Sequence, residues 1–417
     1  MELGDAMLVT ALWGIWIMLV YWVLLSIGAA RYYLASRTEL EELAGWQGPW
    51  PFVSVLVPAH NEALVIERTA RALCEQNYPA DRFEVIIIND GSRDGTGELV
   101  RALCHDYSQL RCYDVPLGEG GKGKSRTLNV GLPQARGELI AVFDADNTPE
   151  PTCLSRLVAT LERDPSLVAV NAKVRTRNRN ATLLTRFINL EFIYFQWLFQ
   201  GGRWAWFRLS MLMGTGYVMR RNAIEVLGGF DESSLVDDTE MSLRIFRGNR
   251  RIRWVPYAVT WEQEPETLGT WLRQRTRWTQ GNLSVTWKYL PQAFVQPYPL
   301  GLEMLTFVFN YVLFVPALFV SHLTFLLSLV GVIDVTLPGP FLYLWVLAVV
   351  IFTLHMSAAA LVEERHWSNV GYALLCYFTY AQLFIVVLLM ALYQNASAKL
   401  FRRRLQWAKT ARTREGE

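Results

Sequence analysis

The sequence predicts an α/β domain with a mostly parallel sheet, preceded and followed in the chain by transmembrane α-helices. Between residues 51 and 287, short apolar runs alternate with stretches of helical composition, and polar or acidic residues follow the ends of those runs. Uncharged stretches long enough to span a bilayer lie near each end of the 417-residue chain. Charged residues make up 19%, less than in an average soluble protein.

Four strands are predicted in the central region, each a short run rich in apolar residues: Phe52–Val57, Phe83–Ile88, Leu110–Val115 and Glu138–Phe143. Helices are predicted between them, over residues 61–75, 94–106 and 124–134. Parallel neighbours need crossover connections, and helices of this length supply them. We therefore expect one domain over residues 48–290, with its ligand beyond the carboxyl ends of the strands.

Residues 6–30 are predicted to form a transmembrane helix, because they carry no charge and about 20 apolar residues span a bilayer core. A cleaved signal peptide is disfavoured, since the start is not basic and Arg31 stands where small residues are needed. Glu2 and Asp5 flank the beginning of the chain, whereas Arg31 and Arg37 follow the helix. The positive-inside rule then predicts a multi-pass protein of the cell membrane with a cytoplasmic domain.

Residues 300–394 are predicted to form transmembrane or interfacial helices, from three apolar stretches: Leu300–Ile333, Phe341–Val362 and Val370–Tyr393. As one helix the first would be about 50 Å long, against a bilayer core of about 30 Å. It carries Pro316 near its centre and would either tilt or break there. Three crossings would put the tail, residues 395–417, outside; two would keep it inside, as the charge rule prefers.

The charge, the cysteines and the aromatic pattern bear on which metal sites and partners are expected. The net charge of +2 indicates none in particular, and the scattered cysteines, five in number without C-x-x-C spacing, argue against a disulfide framework or a zinc site. No nucleic-acid partner is expected, since the aromatic-interleaved basic surface that stacks bases is lacking. The basic tail is instead typical of a segment beside membrane lipids: Lys399, Arg402, Arg403, Arg404, Lys409, Arg412 and Arg414.

Polar or acidic side chains follow three of the four predicted strands: Asn61 and Glu62, then Asp90, then Asp144 and Asp146. Each has an ordinary explanation as a helix cap or a turn residue. Together on one sheet edge, their negative potential favours a cation or hydrogen-bond donors. Asp-Ala-Asp after a strand suits a nucleotide-sugar, because one carboxylate can reach the ribose while the other holds Mg²⁺ or Mn²⁺ on the phosphates.

Six segments in order complete the pattern: Val57–Glu62, Asn89–Thr96, Gly121–Asn129, Asp144–Asp146, Val236–Glu240 and Gln274–Trp278. Over about Phe52–Asn282 this sequence resembles the family 2 glycosyltransferases of the GT-A fold. It is most similar to their membrane-integrated group, which holds poly-N-acetylglucosamine, hyaluronan, chitin-oligosaccharide and cellulose synthases.

The resemblance implies a UDP-sugar donor and a role for each motif. Glu62 and Asp90 would hold the uridine, Lys124 would support the nucleotide, and Asp144 with Asp146 would place the metal and phosphates. Asp238 matches the catalytic base. Two neighbours depart from the family pattern, since Val236 and Asp237 stand where the family has Thr and Glu. The remaining implied positions serve the donor pyrophosphate and the acceptor: Gln274, Arg277 and Trp278, with Gly214 and Thr215 facing the acceptor.

The same residues admit plainer interpretations. Asp237, Asp238 and Glu240 could be the solvated start of a helix, and the arginines around Arg275 could flank a membrane. Trp278 could be an interfacial anchor. The chemistry favours a site, since inversion needs a carboxylate that takes a proton from the acceptor, and a guanidinium suits a diphosphate.

The resulting hypothesis is an inverting hexosyltransferase that extends a β-linked polysaccharide at the membrane, with UDP-N-acetylglucosamine as the favoured donor. The alternative is a glycolipid synthase that adds one or a few sugars to a lipid acceptor. A catalytically inactive assembly subunit is disfavoured, because Asp146 and Asp238 are both present. The sugar, the linkage and any partner subunit are left open.

Overall fold

The computed structural model describes residues 2–116, 118–336 and 340–401. Its strands, in chain order, are β1 Val53–Ala59, β2 Phe83–Asn89, β3 Leu110–Asp114, β4 Leu139–Val142, β5 Thr148–Pro149, β6 Leu167–Thr176, β7 Tyr217–Arg220 and β8 Arg251–Glu262. The α-helices are α1 Leu3–Leu43, α2 Ile66–Cys74, α3 Thr96–Leu103, α4 Lys124–Gly131, α5 Cys153–Arg163, α6 Leu183–Phe195, α7 Arg203–Phe207, α8 Arg221–Val226, α9 Asp237–Arg247, α10 Leu268–Ala293, α11 Leu302–Val308, α12 Val315–Leu329, α13 Phe341–Glu363, α14 Ser368–Phe378 and α15 Leu383–Leu400.

The chain forms two compact units. The sheet unit comprises Ala30–Arg179 and Arg203–Pro265, and holds all eight strands. The helical unit comprises residues 2–29, 180–202 and 266–401. Helices α6 and α10, which lie within the predicted domain of residues 48–290, therefore pack in the helical unit. The domain boundaries drawn from the sequence stay predictions.

The sheet is mostly parallel, as predicted, with the strand order β3-β2-β1-β4-β7-β6-β8-β5. Strands β1 to β4 run parallel to one another, and β6 and β8 form a further parallel pair. Strand β7 lies between β4 and β6 and is antiparallel to both. All four strands predicted from apolar runs are present, with ends that differ by one or two residues. Continuous burial along β1 and β2 fits a parallel sheet covered on both faces.

The amino ends of β1 and β2 are tied together by Glu84, whose side chain is almost fully buried. Its carboxylate accepts hydrogen bonds from the Ser54 hydroxyl at 2.7 Å and the Arg136 backbone N–H at 2.9 Å. The guanidinium groups of Arg111 and Arg136 pair with it at 2.8 and 3.1 Å. A buried charge with this many donors holds the strands in register at the end remote from the polar loops.

Helix α1 is longer than predicted, because it continues past residue 30 to Leu43. Residues 31–43 contain no Gly or Pro and are rich in helix-forming Ala, Leu, Arg and Glu. Within the sheet unit, the Tyr32 hydroxyl donates to the Trp254 carbonyl at 2.5 Å, and Glu39 pairs with Arg253. Contacts with the sheet thus stabilise an extension that hydropathy alone does not detect.

In the described part of the chain, four helices are long and apolar enough to cross a membrane: Leu3–Leu43, Pro297–Leu329, Tyr343–Glu363 and Leu383–Leu400. The second continues through Pro316, because the π-helical segment Phe309–Phe314 leads directly into α12. The predicted stretch Val370–Tyr393 divides into α14 and α15. The basic residues from Arg402 to Arg414 lie outside the described residues.

The start of α1 and the loop after α12 contact each other within the helical unit. The Thr336 backbone N–H donates to Asp5 at 2.9 Å, and the Thr336 hydroxyl donates to the same carboxylate at 3.2 Å. Asp5 is buried. If Leu3–Leu43 and Pro297–Leu329 both cross a bilayer, this contact requires them to run in opposite directions.

We expect Glu84→Gln to lower the free energy of unfolding by about 3 kcal/mol, because two guanidinium groups lose their buried counter-charge. The measurement is the melting temperature of the detergent-purified protein. Glu98→Gln is the matched control, since Glu98 pairs with Arg101 at 3.3 Å on the surface. Its melting temperature should stay close to that of the wild type. Equal melting temperatures for both variants would contradict the proposed tie.

Candidate active site

The polar loops that follow β1 and β2 are joined by hydrogen bonds. The Asp90 backbone N–H donates to the Ala59 carbonyl at 2.8 Å, and the Glu62 backbone N–H donates to the Thr96 hydroxyl at 2.8 Å. The His60 ring nitrogen Nδ1 lies 2.6 Å from the Asp90 carbonyl oxygen. Asp90 is buried and Glu62 half-buried. The structure therefore brings the two predicted uridine-binding positions to the same edge of the sheet.

A glycine-rich loop before α4 lies directly against Asp90. A Cβ atom on Gly120 would come within 2.9 Å of the Asp90 carbonyl carbon, so only glycine permits this approach. Gly121 and Gly123 in the same loop have φ angles of +75° and +108°. The loop leads into Lys124, the first residue of α4. The backbone geometry of this glycine-rich loop thus places Lys124 at the carboxyl edge of the sheet.

Lys124 lies among carboxylates from distant parts of the chain. Its ammonium is 2.6 Å from Asp144 Oδ1, 4.0 Å from Asp237 Oδ2, and donates to the Gly214 carbonyl at 2.6 Å. Burial opposes its charge, but Asp144 and Asp237, followed by Asp238, raise the Lys124 pKa overall. One cation therefore compensates several acidic groups in this cleft.

Asp237 and Asp238 open helix α9, where unpaired backbone N–H groups favour negative charge. Asp238 Oδ1 accepts the Thr239 backbone N–H at 2.7 Å. Burial, and then the neighbouring Asp237 carboxylate, raise the Asp238 pKa to about 6, while Lys124 acts in the opposite direction. A carboxyl group with this pKa is mostly ionised at neutral pH and can still accept a proton in a reaction.

The loop before β7 completes the surroundings of these acids. Gly214 has a φ of +77°, and a Cβ there would lie 3.4 Å from Asp238 Oδ2. The next residue, Thr215, is buried and its hydroxyl accepts the Asp144 backbone N–H at 2.9 Å. Gly214 and Thr215 therefore contact both the predicted base and the Asp-Ala-Asp segment. Their predicted role towards an acceptor stays a prediction.

Two further carboxylates at the end of β8 were missed by the sequence analysis. Burial raises the Glu262 pKa well above its ordinary range, and Glu264, Asp146 and Asp144 add to that increase. Asp146 is only 2% exposed, and Glu264 is also buried. The acidic run after the apolar strand, Glu-Gln-Glu-Pro-Glu, was the available signal. It was not recognised because β8 was not among the predicted strands.

This concentration of acidic groups suits a divalent cation. Mg²⁺ in nucleotide sites commonly takes one or two carboxylates and completes its shell with phosphate oxygens and water. Asp144 and Asp146 supply that number. Across the described residues, no cluster of three or more His, Cys, Asp or Glu side chains forms a complete metal cage. The residues therefore fit a metal that is bound together with a diphosphate.

Gln274, Arg277 and Trp278 lie on one half-buried face of α10, as their spacing of three and four residues requires. This helix belongs to the helical unit. Their assignment to the donor pyrophosphate and the acceptor stays a prediction.

Comparison with known sequences identifies the family of the chain. The model of Glycosyl transferase family 2 matches residues 54–228. The probable glycosyltransferase YdaM of Bacillus subtilis (strain 168) is 38% identical over 413 residues, which cover 98% of each chain. The beta-monoglucosyldiacylglycerol synthase of Trichormus variabilis is 34% identical over 235 residues, 56% of this chain and 50% of that one. The poly-beta-1,6-N-acetyl-D-glucosamine synthase of Staphylococcus aureus (strain COL) is 28% identical over 275 residues, 64% and 63% of the two chains.

Among solved structures, the mannosyltransferase PcManGT of Pyrobaculum calidifontis, in complex with GDP-Man and Mn²⁺, has the same fold. The two superpose with a TM-score of 0.59 at 23% identity, over 91% of this chain and 99% of that one. The sheet thus has the GT-A fold. The sequence matches make the chain a glycosyltransferase, and its apolar helices are typical of a membrane protein. The chain belongs to glycosyltransferase family 2.

We expect Gly214→Ala to reduce glycosyl transfer at least tenfold, because alanine disfavours the positive φ of this residue and so shifts the carbonyl that Lys124 contacts, beside a new methyl group against Asp238. The backbone strain at positive φ should also cost about 1 kcal/mol of stability. The measurements are the transfer rate and the melting temperature.

Gly228→Ala is the control, since Gly228 has a similar φ of +79° but has no other atom within 4 Å of the added Cβ among the described residues. It should lose comparable stability and keep its transfer rate. A similar loss of activity in both variants would show that strain alone, and not contact with the acids, explains the effect.

Proposed function

We propose that this enzyme transfers a sugar with inversion from a UDP-sugar, for which UDP-N-acetylglucosamine is the best candidate, to the hydroxyl end of a β-linked polysaccharide at the membrane. The observation that carries the proposal is the position of Lys124 between Asp144 and the Asp237–Asp238 pair. The acids assigned to the diphosphate and the acid assigned to the acceptor therefore share one cleft.

Asp238 is the proposed general base. The acceptor hydroxyl oxygen forms a bond to the anomeric carbon as the bond from that carbon to the phosphate oxygen breaks. The hydroxyl proton passes to the Asp238 carboxylate, and the electron pair of the broken bond leaves with UDP. The raised Asp238 pKa, about 6, makes this carboxylate a stronger base than an exposed aspartate.

The donor is proposed to lie along the carboxyl edge of the sheet. Glu62 and Asp90 would hold the uridine, and Lys124 would exchange its contact with Asp144 for the donor's phosphates. Asp144 and Asp146 would hold Mg²⁺ or Mn²⁺. A bound divalent ion supplies charge neutralisation for the departing diphosphate. Gln274, Arg277 and Trp278 are assigned to the diphosphate and the acceptor on their motif alone.

The polysaccharide acceptor is supported by the similarity to a poly-beta-1,6-N-acetyl-D-glucosamine synthase and by the apolar helices of the helical unit. A lipid acceptor is the second candidate, supported by the similarity to a beta-monoglucosyldiacylglycerol synthase. For either acceptor, we infer a multi-pass protein of the cell membrane with the sheet unit in the cytoplasm, from the charges that flank α1.

The acceptor and donor are tested together by incubating the detergent-purified protein and lipids with a panel of UDP-sugars and GDP-mannose. We expect UDP-N-acetylglucosamine to give a polymer whose length grows with time. A single sugar on a lipid, without longer products under any condition, would refute the polysaccharide proposal in favour of the glycolipid synthase. Transfer from GDP-mannose alone would refute the UDP-sugar assignment.

We expect Asp238→Asn to abolish turnover while binding of UDP, measured by calorimetry, is retained. The amide keeps the shape of the carboxylate and loses only its ability to accept a proton. Because burial raises the Asp238 pKa, ionisation at neutral pH opposes folding, and the variant should therefore melt at a higher temperature than the wild type.

The wild-type pH profile provides the companion measurement. The base form of Asp238 is lost as pH falls through about 6, so kcat/KM should be level above that value and decrease about tenfold per pH unit below it. Turnover by Asp238→Asn close to that of the wild type would remove the base assignment. A profile without an acid limb near pH 6 would do the same.

A further inference from the structure

Arg275 lies in the middle of the Gln274–Trp278 motif but does not share its half-buried face. It is only 2% exposed and is one of the largest fully buried side chains of the protein. A guanidinium that is removed from water loses several kcal/mol of solvation, which must be offset by its neighbours. The position of Arg275 therefore needs an explanation beyond helix formation.

Its counter-charge comes from α6. Arg275 Nη2 lies 2.8 Å from Glu191 Oε2. The same carboxylate oxygen accepts the hydroxyl of Tyr380, from the turn between α14 and α15. The indole N–H of Trp271 donates to that hydroxyl at 2.9 Å. Glu191 is thus held from two sides, and it joins three separate segments of the helical unit.

Arg275 also contacts the motif itself, besides lying 5.5 and 5.9 Å from the centres of the Phe192 and Trp271 rings. Its Nη1 donates to the Gln274 side-chain oxygen at 2.9 Å, which fixes the orientation of that amide. Its guanidinium carbon lies 4.2 Å from the centre of the Trp278 ring, within cation–π distance. The planar guanidinium therefore contacts two of the three motif side chains on the adjacent face of the helix, Gln274 and Trp278.

A buried ion pair of this kind is a poor source of stability, because hydrophobic residues of similar volume commonly stabilise a fold as well or better. The ion pair instead fixes the orientation of the Arg275 guanidinium, whose hydrogen-bond donors lie in one plane. The Glu191 carboxylate that holds this group is itself held by the Tyr380 hydroxyl. An apolar residue at position 275 could fill the space but could not orient an amide and an indole.

We propose that Glu191 is a positioning residue of the transferase, which acts through Arg275 to fix the Gln274 amide and the Trp278 indole. Through its hydrogen bond to Glu191, Tyr380 connects this positioning residue to the turn between α14 and α15. The proposal rests on the assignment of Gln274 and Trp278 to the diphosphate and the acceptor under the proposed function. Glu191 itself does not touch substrate.

The helical unit offers a matched control. Arg186 and Glu364 pair at 2.8 Å, with each side chain 12% exposed. Arg186 also donates to Asn369, and Glu364 accepts from Asn189, and both of these partners lie outside the motif. Glu364→Gln removes one charge of a shielded pair, as Glu191→Gln does. A difference in activity between the two variants then reports on the motif and not on the loss of an ion pair.

The experiment measures UDP release from the donor that supports transfer, at saturating donor and acceptor. We expect Glu191→Gln to lower kcat by roughly tenfold to a hundredfold, and Glu364→Gln by less than about threefold. Tyr380→Phe removes one hydroxyl only and should lower kcat in the same direction as Glu191→Gln. If Glu191→Gln does not fold, Tyr380→Phe is compared with Glu364→Gln in its place. Equal effects of Glu191→Gln and Glu364→Gln would overturn the proposal, as would wild-type kcat in Tyr380→Phe.

Combining Glu191→Gln with Trp278→Ala distinguishes a positioning role of Glu191 from a general loss of native structure. If Glu191 acts by orienting the motif, adding Glu191→Gln to Trp278→Ala should lower kcat much less than it does in the wild type. A full multiplicative effect in the double variant would overturn the positioning role. If Trp278→Ala alone leaves kcat and KM unchanged, the motif assignment in the proposed function is wrong. That failure is distinct from one in which Trp278 matters and Glu191 does not.

Discussion

The ion pair between Lys124 and Asp144 is the interaction on which the candidate active site depends. Four acidic side chains lie at one edge of the sheet: Asp144, Asp146, Asp237 and Asp238. Their mutual repulsion opposes this arrangement in the folded chain. Lys124 offsets part of that repulsion from inside the cleft, 2.6 Å from Asp144. The glycine-rich loop against Asp90 and the left-handed Gly214 both serve to bring this ammonium and its carbonyl partner together.

The compensation of negative charge is incomplete, and under the proposed function the remaining imbalance has a chemical use. The Asp238 pKa is raised to about 6 and the Glu262 pKa well above its ordinary range, so the folded chain holds carboxylates that are costly to ionise. Such a site attracts a divalent cation and makes a better base than an exposed carboxylate. At the other end of the sheet, by contrast, the buried Glu84 carboxylate is paired with two guanidinium groups.

The helical unit follows a related principle with a different purpose. Charged groups shielded from solvent pair with one another there, the buried Arg275 with Glu191 and the half-buried Arg186 with Glu364. In a largely apolar bundle, such pairs specify which helices meet and in which rotation, because a mismatch would leave a charge without its partner. The helical unit therefore resembles the Glu84 cluster, where opposite charges are paired, and differs from the carboxyl edge of the sheet, where carboxylates accumulate.

By itself the sequence determined the parallel strands, the acidic positions after them, the family and the apolar helices, because these depend on local patterns of hydrophobicity and on motifs. It did not identify Glu262 and Glu264, the pairing of Glu191 with Arg275, or the extension of α1 to Leu43. Each of these depends on contacts between residues far apart in the chain, such as Tyr32 with Trp254. Hydrophobic periodicity reports which face of an element is buried. Only the tertiary structure decides which charged side chains share that buried space, and so which of them change their pKa.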